Sequence, residues 1–263
     1  MTVGYPMALF TDGPINEAID LQNYENAILT VANSEQIDLA GKGALAQSEI
    51  ASKLILFLLR RFRQPDVLWT VTYRRTIGVG DVVVTDPLRR WHALKTLALV
   101  YRDAYNNQLN DRYKGKWAEY EQLAADAAES YFQIGVGLAS GHIAKATLPV
   151  LTTIFGSGSA ATYYVAVAWV NRTGQSGSAS EVAQLTTSTG QRLVVAAVNP
   201  PPNATGWNAY IGEAPEATSL QNNSPIAIGN TWTLAAALQA GVPPGRGQEP
   251  TWFLVDQRLI ERG

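Results

Sequence analysis

The sequence predicts an α+β chain of more than one domain, helical in its first half and built of antiparallel strands in its second. Three observations predict it. Apolar residues recur three and four apart through most of the first 134 residues. From residue 143 onward Thr, Val, Ser, Gly and Pro come in short alternating runs. Charge falls at the same place: residues 1–142 hold 14 Lys/Arg and 16 Asp/Glu, residues 143–243 hold only 3 and 3, and the last twenty hold 3 and 3. The small residues Ala139, Ser140 and Gly141, ahead of His142, mark the expected boundary. The reading is a helical domain over 1–142, a β domain over 143–243 and a tail over 244–263.

The helical half reads as four helices. The first spans 16–33 after Pro14, with Leu21, Tyr24, Ile28 and Val31 as its apolar stripe. The second spans 43–63, with Leu45, Ile55, Leu59 and Phe62 as buried candidates, and Pro65 stops it. A third begins at Asp86-Pro87, a capping residue with proline in the first turn. Its stripe is Leu88, Trp91, Leu94, Ala98, Tyr101, Tyr105 and Leu109. The fourth starts at Asn110 or Asp111 and carries Tyr113, Trp117, Tyr120, Ala124, Ala127, Tyr131 and Ile134, the steadiest period in the chain. A two-residue joint between the last two predicts an antiparallel hairpin of helices. Residues 67–84, with a turn at Gly78-Val79-Gly80, read as a β-hairpin. A lone hairpin is marginal in water, so it needs a surface to lie on.

In the second half strands are expected at 163–170, 182–187, 192–198, 207–211 and 231–234. Asn171-Arg172-Thr173-Gly174 is the first turn, and Asn199-Pro200-Pro201-Pro202-Asn203 is another. About seven short strands in about 100 residues, without cysteine, indicate an Ig-like or fibronectin-III-like sandwich. The tail ends in Trp252, Phe253, Leu254, Val255 and Leu259. No element follows to cover these apolar residues, so they must dock on the helical domain or on another protein.

Composition excludes several function classes. Hydrophobic content of 46% and charged content of 16% describe a chain with a sizeable core. A net charge of -2 gives no general pull towards nucleic acid or an acidic membrane. With no cysteine, disulfides, thiolate catalysis and cysteine-bound zinc are out, which fits assembly in a reducing compartment. The N-terminus shows no basic flank before an apolar run, so no signal peptide is expected. The apolar run 54–59 falls far short of the roughly 20 residues a membrane helix needs.

The search for chemistry is mostly negative. His92 and His142 belong to no metal-ligand spacing, and packing or surface is the expected role of each. Gly156-Ser157-Gly158-Ser159 lacks the Lys-Ser/Thr of a phosphate loop and precedes a strand. Glu119 and Glu121 are two apart on a helix and cannot act as a pair. Tyr113, Trp117 and Tyr120 could form a sugar platform, but their helical spacing fits packing. Arg60, Arg61 and Arg63 suit a helix C-terminus, whereas Arg89 and Arg90 sit against the dipole at a helix start. With Arg74 and Arg75, these two are the candidate inter-subunit or channel charges, set against plain surface charge. No catalytic residue, metal or cofactor is expected.

Two stretches carry a resemblance. Tyr163-Tyr164-Val165-Ala166-Val167-Ala168-Trp169-Val170-Asn171-Arg172-Thr173-Gly174, followed by Ser180-Glu181 and Gly206-Trp207-Asn208-Ala209-Tyr210-Ile211-Gly212, resembles the fibronectin-III/Ig-like modules of tailed-bacteriophage virion proteins. Leu21-Gln22-Asn23-Tyr24-Glu25-Asn26 and Arg112-Tyr113-Lys114-Gly115-Lys116-Trp117-Ala118-Glu119-Tyr120 are similar to the helical head-to-tail connector, or neck adaptor, proteins of such phages. That second match rests on helix order and texture. The resemblance implies a non-catalytic virion protein assembled in the host cytoplasm. It implies a ring homo-oligomer, dodecameric in that family, between portal and tail proteins, with a central channel for DNA; with net charge near neutral, any contact of the channel with translocating DNA is expected to be loose. Other structural readings are a collar, tail-completion or minor capsid protein. A carbohydrate-binding or adhesion module, using Trp169, Trp207 and Trp232, is the reading from another class.

Overall fold

The computed structural model describes residues 8–62, 77–108, 111–235 and 237–255. Among them are five α-helices and ten strands in antiparallel sheets, an α+β chain. Two compact units divide it. One contains residues 13–138 and 250–263, the other residues 1–12 and 139–249.

The helical unit opens with α1 (Ala18–Leu21) and α2 (Ile28–Glu35). The single helix expected over 16–33 is thus broken. Residues 22–27 are turns, in which the Tyr24 and Glu25 N–H groups both donate to the Leu21 carbonyl and the Ile28 N–H donates to the Glu25 carbonyl. Leu21 and Ile28 are buried as expected, but Tyr24 is exposed. Gln36, at φ +55°, ends α2 in the left-handed conformation, and its N–H and that of Ile37 donate to the Ala32 carbonyl.

Next comes α3 (Leu39–Phe62). It begins four residues before the expected start because Asp38 Oδ1 accepts the Ala40 N–H at 3.0 Å. Its inward row is Ala46, Ile50, Leu54 and Leu58. The expected core residues Leu45, Ile55 and Leu59 are instead exposed. The run 54–59 is apolar at every position, so period alone does not choose a face.

Of the hairpin expected over 67–84, residues 77–84 are described. Gly78-Val79-Gly80 enters a 3-10 turn, Val79–Asp81, closed by Asp81 Oδ2 accepting the Gly78 N–H at 3.0 Å. Val82 then bridges Leu138, and the Val83 N–H donates to Gly137. The other expected strand, 67–73, lies outside the described residues.

α4 (Asp86–Gln108) is the centre of the unit: twelve of its residues are buried, and they lie all around the helix. α5 (Asp111–Ile134) packs antiparallel to it, with Tyr113, Tyr120, Ala124, Ala127 and Tyr131 inward. Ile134, expected inward, is exposed. Gly135, at φ +112°, turns the chain out of α5 into β1 (Val136–Leu138).

In the β unit, β2 (Val150–Phe155), β5 (Gln191–Ala196) and β9 (Trp232–Thr233) form one sheet, in the order β2-β5-β9. β4 (Ala183–Thr187), β3 (Ala161–Asn171), β6 (Ala204–Gly212) and β7 (Ser219–Leu220) form the other, and β8 (Ile226–Ala227) also pairs with β6. One apolar cluster joins the two sheets: Val165, Val167 and Trp169 from β3, Leu193 and Val195 from β5, Trp207, Ala209 and Ile211 from β6. The alternate residues of β3, Ala166 and Ala168, are buried under Ala179 and Tyr210. Asn171 builds the expected turn, its Oδ1 accepting from the N–H groups of Thr173 and Gln175 and from the Thr173 hydroxyl.

Candidate functional site

The tail is docked. Trp252–Leu254 forms β10, antiparallel to β1 with Val136 opposite Leu254 and Leu138 opposite Trp252. The Thr251 N–H donates to the Leu138 carbonyl at 2.9 Å, and Arg61 Nη2 donates to the Val255 carbonyl at 2.8 Å. The approach is close: a side chain at Gly137 would stand 2.9 Å from Pro250 Cγ. Trp252 and Leu254 lean to one face, half-buried, while Phe253 and Val255 point to the other and are exposed. The tail residues offered for docking on a partner are therefore held, through their backbone, on the unit they belong to. Gln248, just before, accepts the Ile143 N–H at 2.6 Å in the β unit. Leu259 lies outside the described residues.

The arginine candidates separate. Arg89 is half-buried; its Nη1 donates to the Ile15 carbonyl at 2.9 Å and its own carbonyl accepts from Asn16 Nδ2 at 2.8 Å. It thus pins the segment entering α1. Arg90 is exposed. Arg74 and Arg75 lie outside the described residues.

The tyrosines and Trp117 of α5 form a seam with α4. Tyr120 stacks on Tyr101 at 5.5 Å with 9° between planes, and Trp117 stacks on Tyr105 at 6.1 Å. The hypothetical sugar platform is this helix-helix packing. Carboxylates close its polar edges. Buried Glu35 accepts from the Tyr113 hydroxyl at 2.9 Å and from Gln108 Nε2 at 3.1 Å. Glu25, carried there by the break between α1 and α2, accepts from the Tyr120 hydroxyl at 2.9 Å and pairs with Lys116 at 3.2 Å. Burial opposes the Glu25 charge, but the Tyr120 hydroxyl and Lys116 outweigh it, so the carboxyl sits below its ordinary value.

His92 is fully buried as packing. Nδ1 faces Asn16 Nδ2 and Nε2 faces the Gly43 carbonyl, each at 3.0 Å, which fits a neutral ring with the proton on Nε2. Burial, with the nearby Arg89 charge, lowers its pKa to about 4, against the pull of the Gly43 carbonyl. Lys95 bridges α3 and α5, at 3.1 Å from Glu49 and 3.2 Å from Glu121.

Among the described residues no three His, Cys, Asp or Glu side chains gather to hold a metal ion. None of the helices is long and apolar enough to cross a membrane. In the β unit Trp169 and Trp207 are core residues, and Trp232 packs half-buried against the same cluster, so two of the three indoles cannot stack on a ligand. A cavity of about 550 Å³ there is lined by Tyr163, Arg192 and Glu213 among others.

The most distinctive surface was not legible from sequence. Along the outer side of α3, Leu45, Ile55, Leu56 and Leu59 are 40 to 55% exposed. Ser48 and Ser52 complete the same row. No protein-family model, curated protein or solved structure matches the chain.

Proposed function

We propose that this chain is a non-catalytic structural subunit of a tailed-bacteriophage virion: a head-to-tail adaptor that forms a ring between portal and tail, with a central passage for DNA. The observation that carries the reading is the exposed apolar row on α3. It belongs to a unit whose other long helices, α4 and α5, have enclosed their own apolar stripes except for Ile134 at the end of α5. Apolar area left outside a finished core is the mark of an assembly surface. A ring subunit needs two such faces, one for each neighbour. The resemblance of the helical and β segments to connector proteins and virion modules supplies the biological setting.

The β unit is, in this reading, an Ig/fibronectin-III-like sandwich. Two antiparallel sheets on one core support it, as does the crossing of the chain from β2 to β5 and from β3 to β6, which is the Greek-key habit. A carbohydrate-binding role is disfavoured by the burial of Trp169 and Trp207.

The test is to assemble particles without this chain and view them by electron microscopy. Filled heads and separate tails are expected. Joined, infectious particles that lack only a collar or a surface decoration would overturn the adaptor reading.

A further inference from the structure

α3 and α5 carry complementary surfaces. From Ile50 to Phe62, α3 has Lys53, Arg60 and Arg61 and no acidic residue, and its exposed Ile55, Leu56 and Leu59 lie among these cations. From Trp117 to Ile134, α5 has Glu119, Glu121, Asp126 and Glu129 and no basic residue. On α5 there is a groove of about 400 Å³, floored by Trp117, Ala118, Gln122 and Ala125, with Lys114 and Glu121 at its edges. A second groove, of about 370 Å³, runs between Leu56 and Arg60 of α3 and Glu129 and Phe132 of α5. One surface is thus a ridge of large apolar side chains with basic neighbours. The other is a trough with Ala118 and Ala125 between Trp117 and Gln122, on a helix whose charges from Trp117 onward are all acidic.

We propose that the α3 ridge of one copy of this chain, centred on Leu56, docks into the α5 trough, centred on Ala125, of a second copy. Size complementarity places the apolar centre, and opposite charge fixes the partner and the register. Within each chain Glu121 is engaged by Lys95 and Glu119 by Lys116, while Asp126 accepts only a Gln122 amide among the contacts described, so Asp126 is the natural mate for a basic side chain of the neighbour. Because ridge and trough are different surfaces, repetition of the contact gives a ring or a filament. The inference rests on the ring reading for its symmetry, but not for the identity of the two surfaces.

The absence of cysteine makes the test clean. Leu56→Cys and Ala125→Cys are made singly and together in the full-length chain, with Thr189→Cys on the β unit as a control. A disulfide forms only where the two Cβ atoms come within about 4.5 Å. Mixing the two single variants under oxidation should give a mixed dimer that the control does not give. The double variant should give a ladder of covalent multimers. Lys53→Glu with Arg60→Glu in the Leu56→Cys chain should abolish the mixed dimer, and Asp126→Lys in the Ala125→Cys chain should restore it. No mixed dimer at high concentration, or a Leu56→Cys homodimer instead, overturns the proposal. A single closed dimer from the double variant keeps the surfaces but removes the ring. A ring seen in particles, but insensitive to these substitutions, removes the surfaces and leaves the adaptor.

Discussion

α3 and α4 are nearly the same length and both rich in large apolar residues, yet they spend them differently. α4 buries its apolar side chains in all directions, against α3 and α5. α3 buries one row, Ala46, Ile50, Leu54 and Leu58, and leaves Leu45, Ile55, Leu56 and Leu59 in solvent. Composition does not separate the two helices; position in the unit does. A central helix is covered on every side by its own chain, and a flanking helix is covered on one side only.

Substitution within α3 and α4 breaks this comparison most directly. Trp91→Ala should cost about 3–5 kcal/mol, because the indole packs on Tyr131 and Phe132 at the heart of the unit. Leu54→Ala should cost about 2–5 kcal/mol. Leu56→Ala, two residues away, should change the stability of the isolated chain by no more than about 0.5 kcal/mol. Denaturant titration checks all three. A large loss from Leu56→Ala would mean that the ridge is core after all.

Acid should come next. The folded-state pKa of His92 is lowered from 6.5 to about 4. The unfolded chain therefore binds the proton first, and the stability contributed by the neutral ring is complete above pH 6.5 and lost as pH falls towards 4. The upper bound is about 3 kcal/mol. Glu25, with its pKa lowered, adds to the loss at more acid pH. In the β unit Asp12 acts in the opposite sense. Burial raises its pKa, against the N–H groups of Lys145 and Leu9, so the cost of its buried charge is relieved as pH falls through the raised value towards the ordinary one. Thermal unfolding between pH 4 and 7 should show the helical unit weakening, and His92→Gln should flatten its slope. An unchanged slope would contradict the neutral buried ring.

Two hydroxyls on α5 give the finest comparison. Tyr120→Phe removes a donor from half-buried Glu25, which keeps Lys116, and should cost about 0.5–1.5 kcal/mol. Tyr131 is fully buried and its hydroxyl has no partner among the described residues, so Tyr131→Phe should be neutral or stabilising by up to about 1 kcal/mol. Equal losses from both would show that Tyr131 has a partner.

Much of the architecture was legible because period reports burial wherever one face is apolar. α5 carries that signal, and so do the inward residues of β3. The signal failed where both faces are apolar, as in 54–59, and it named Ile55 and Leu59 for the core in place of Leu54 and Leu58. It failed again at 22–27, where backbone turns break a helix that the stripe alone would continue. β2 escaped notice because Val150 and Ile154 face outward and only Leu151 packs on the core. β1 and β10 pair across more than a hundred residues, and no local pattern announces such a contact. For the same reason sequence left open whether the tail docks on the helical domain or on another protein; over 252–255 its backbone completes a sheet in the helical unit. Arg89 shows the limit for charge: its unfavourable place at a helix start suggested a partner outside the unit, and Ile15 supplies one inside.

The most direct measurement is a cryo-electron microscopy map of the assembled particle at a resolution that places side chains. The account predicts a ring of this chain at the head-tail junction, with Leu56 of each copy covered by α5 of its neighbour. A ring in which the α3 row faces solvent, or a chain found elsewhere in the particle, would contradict it.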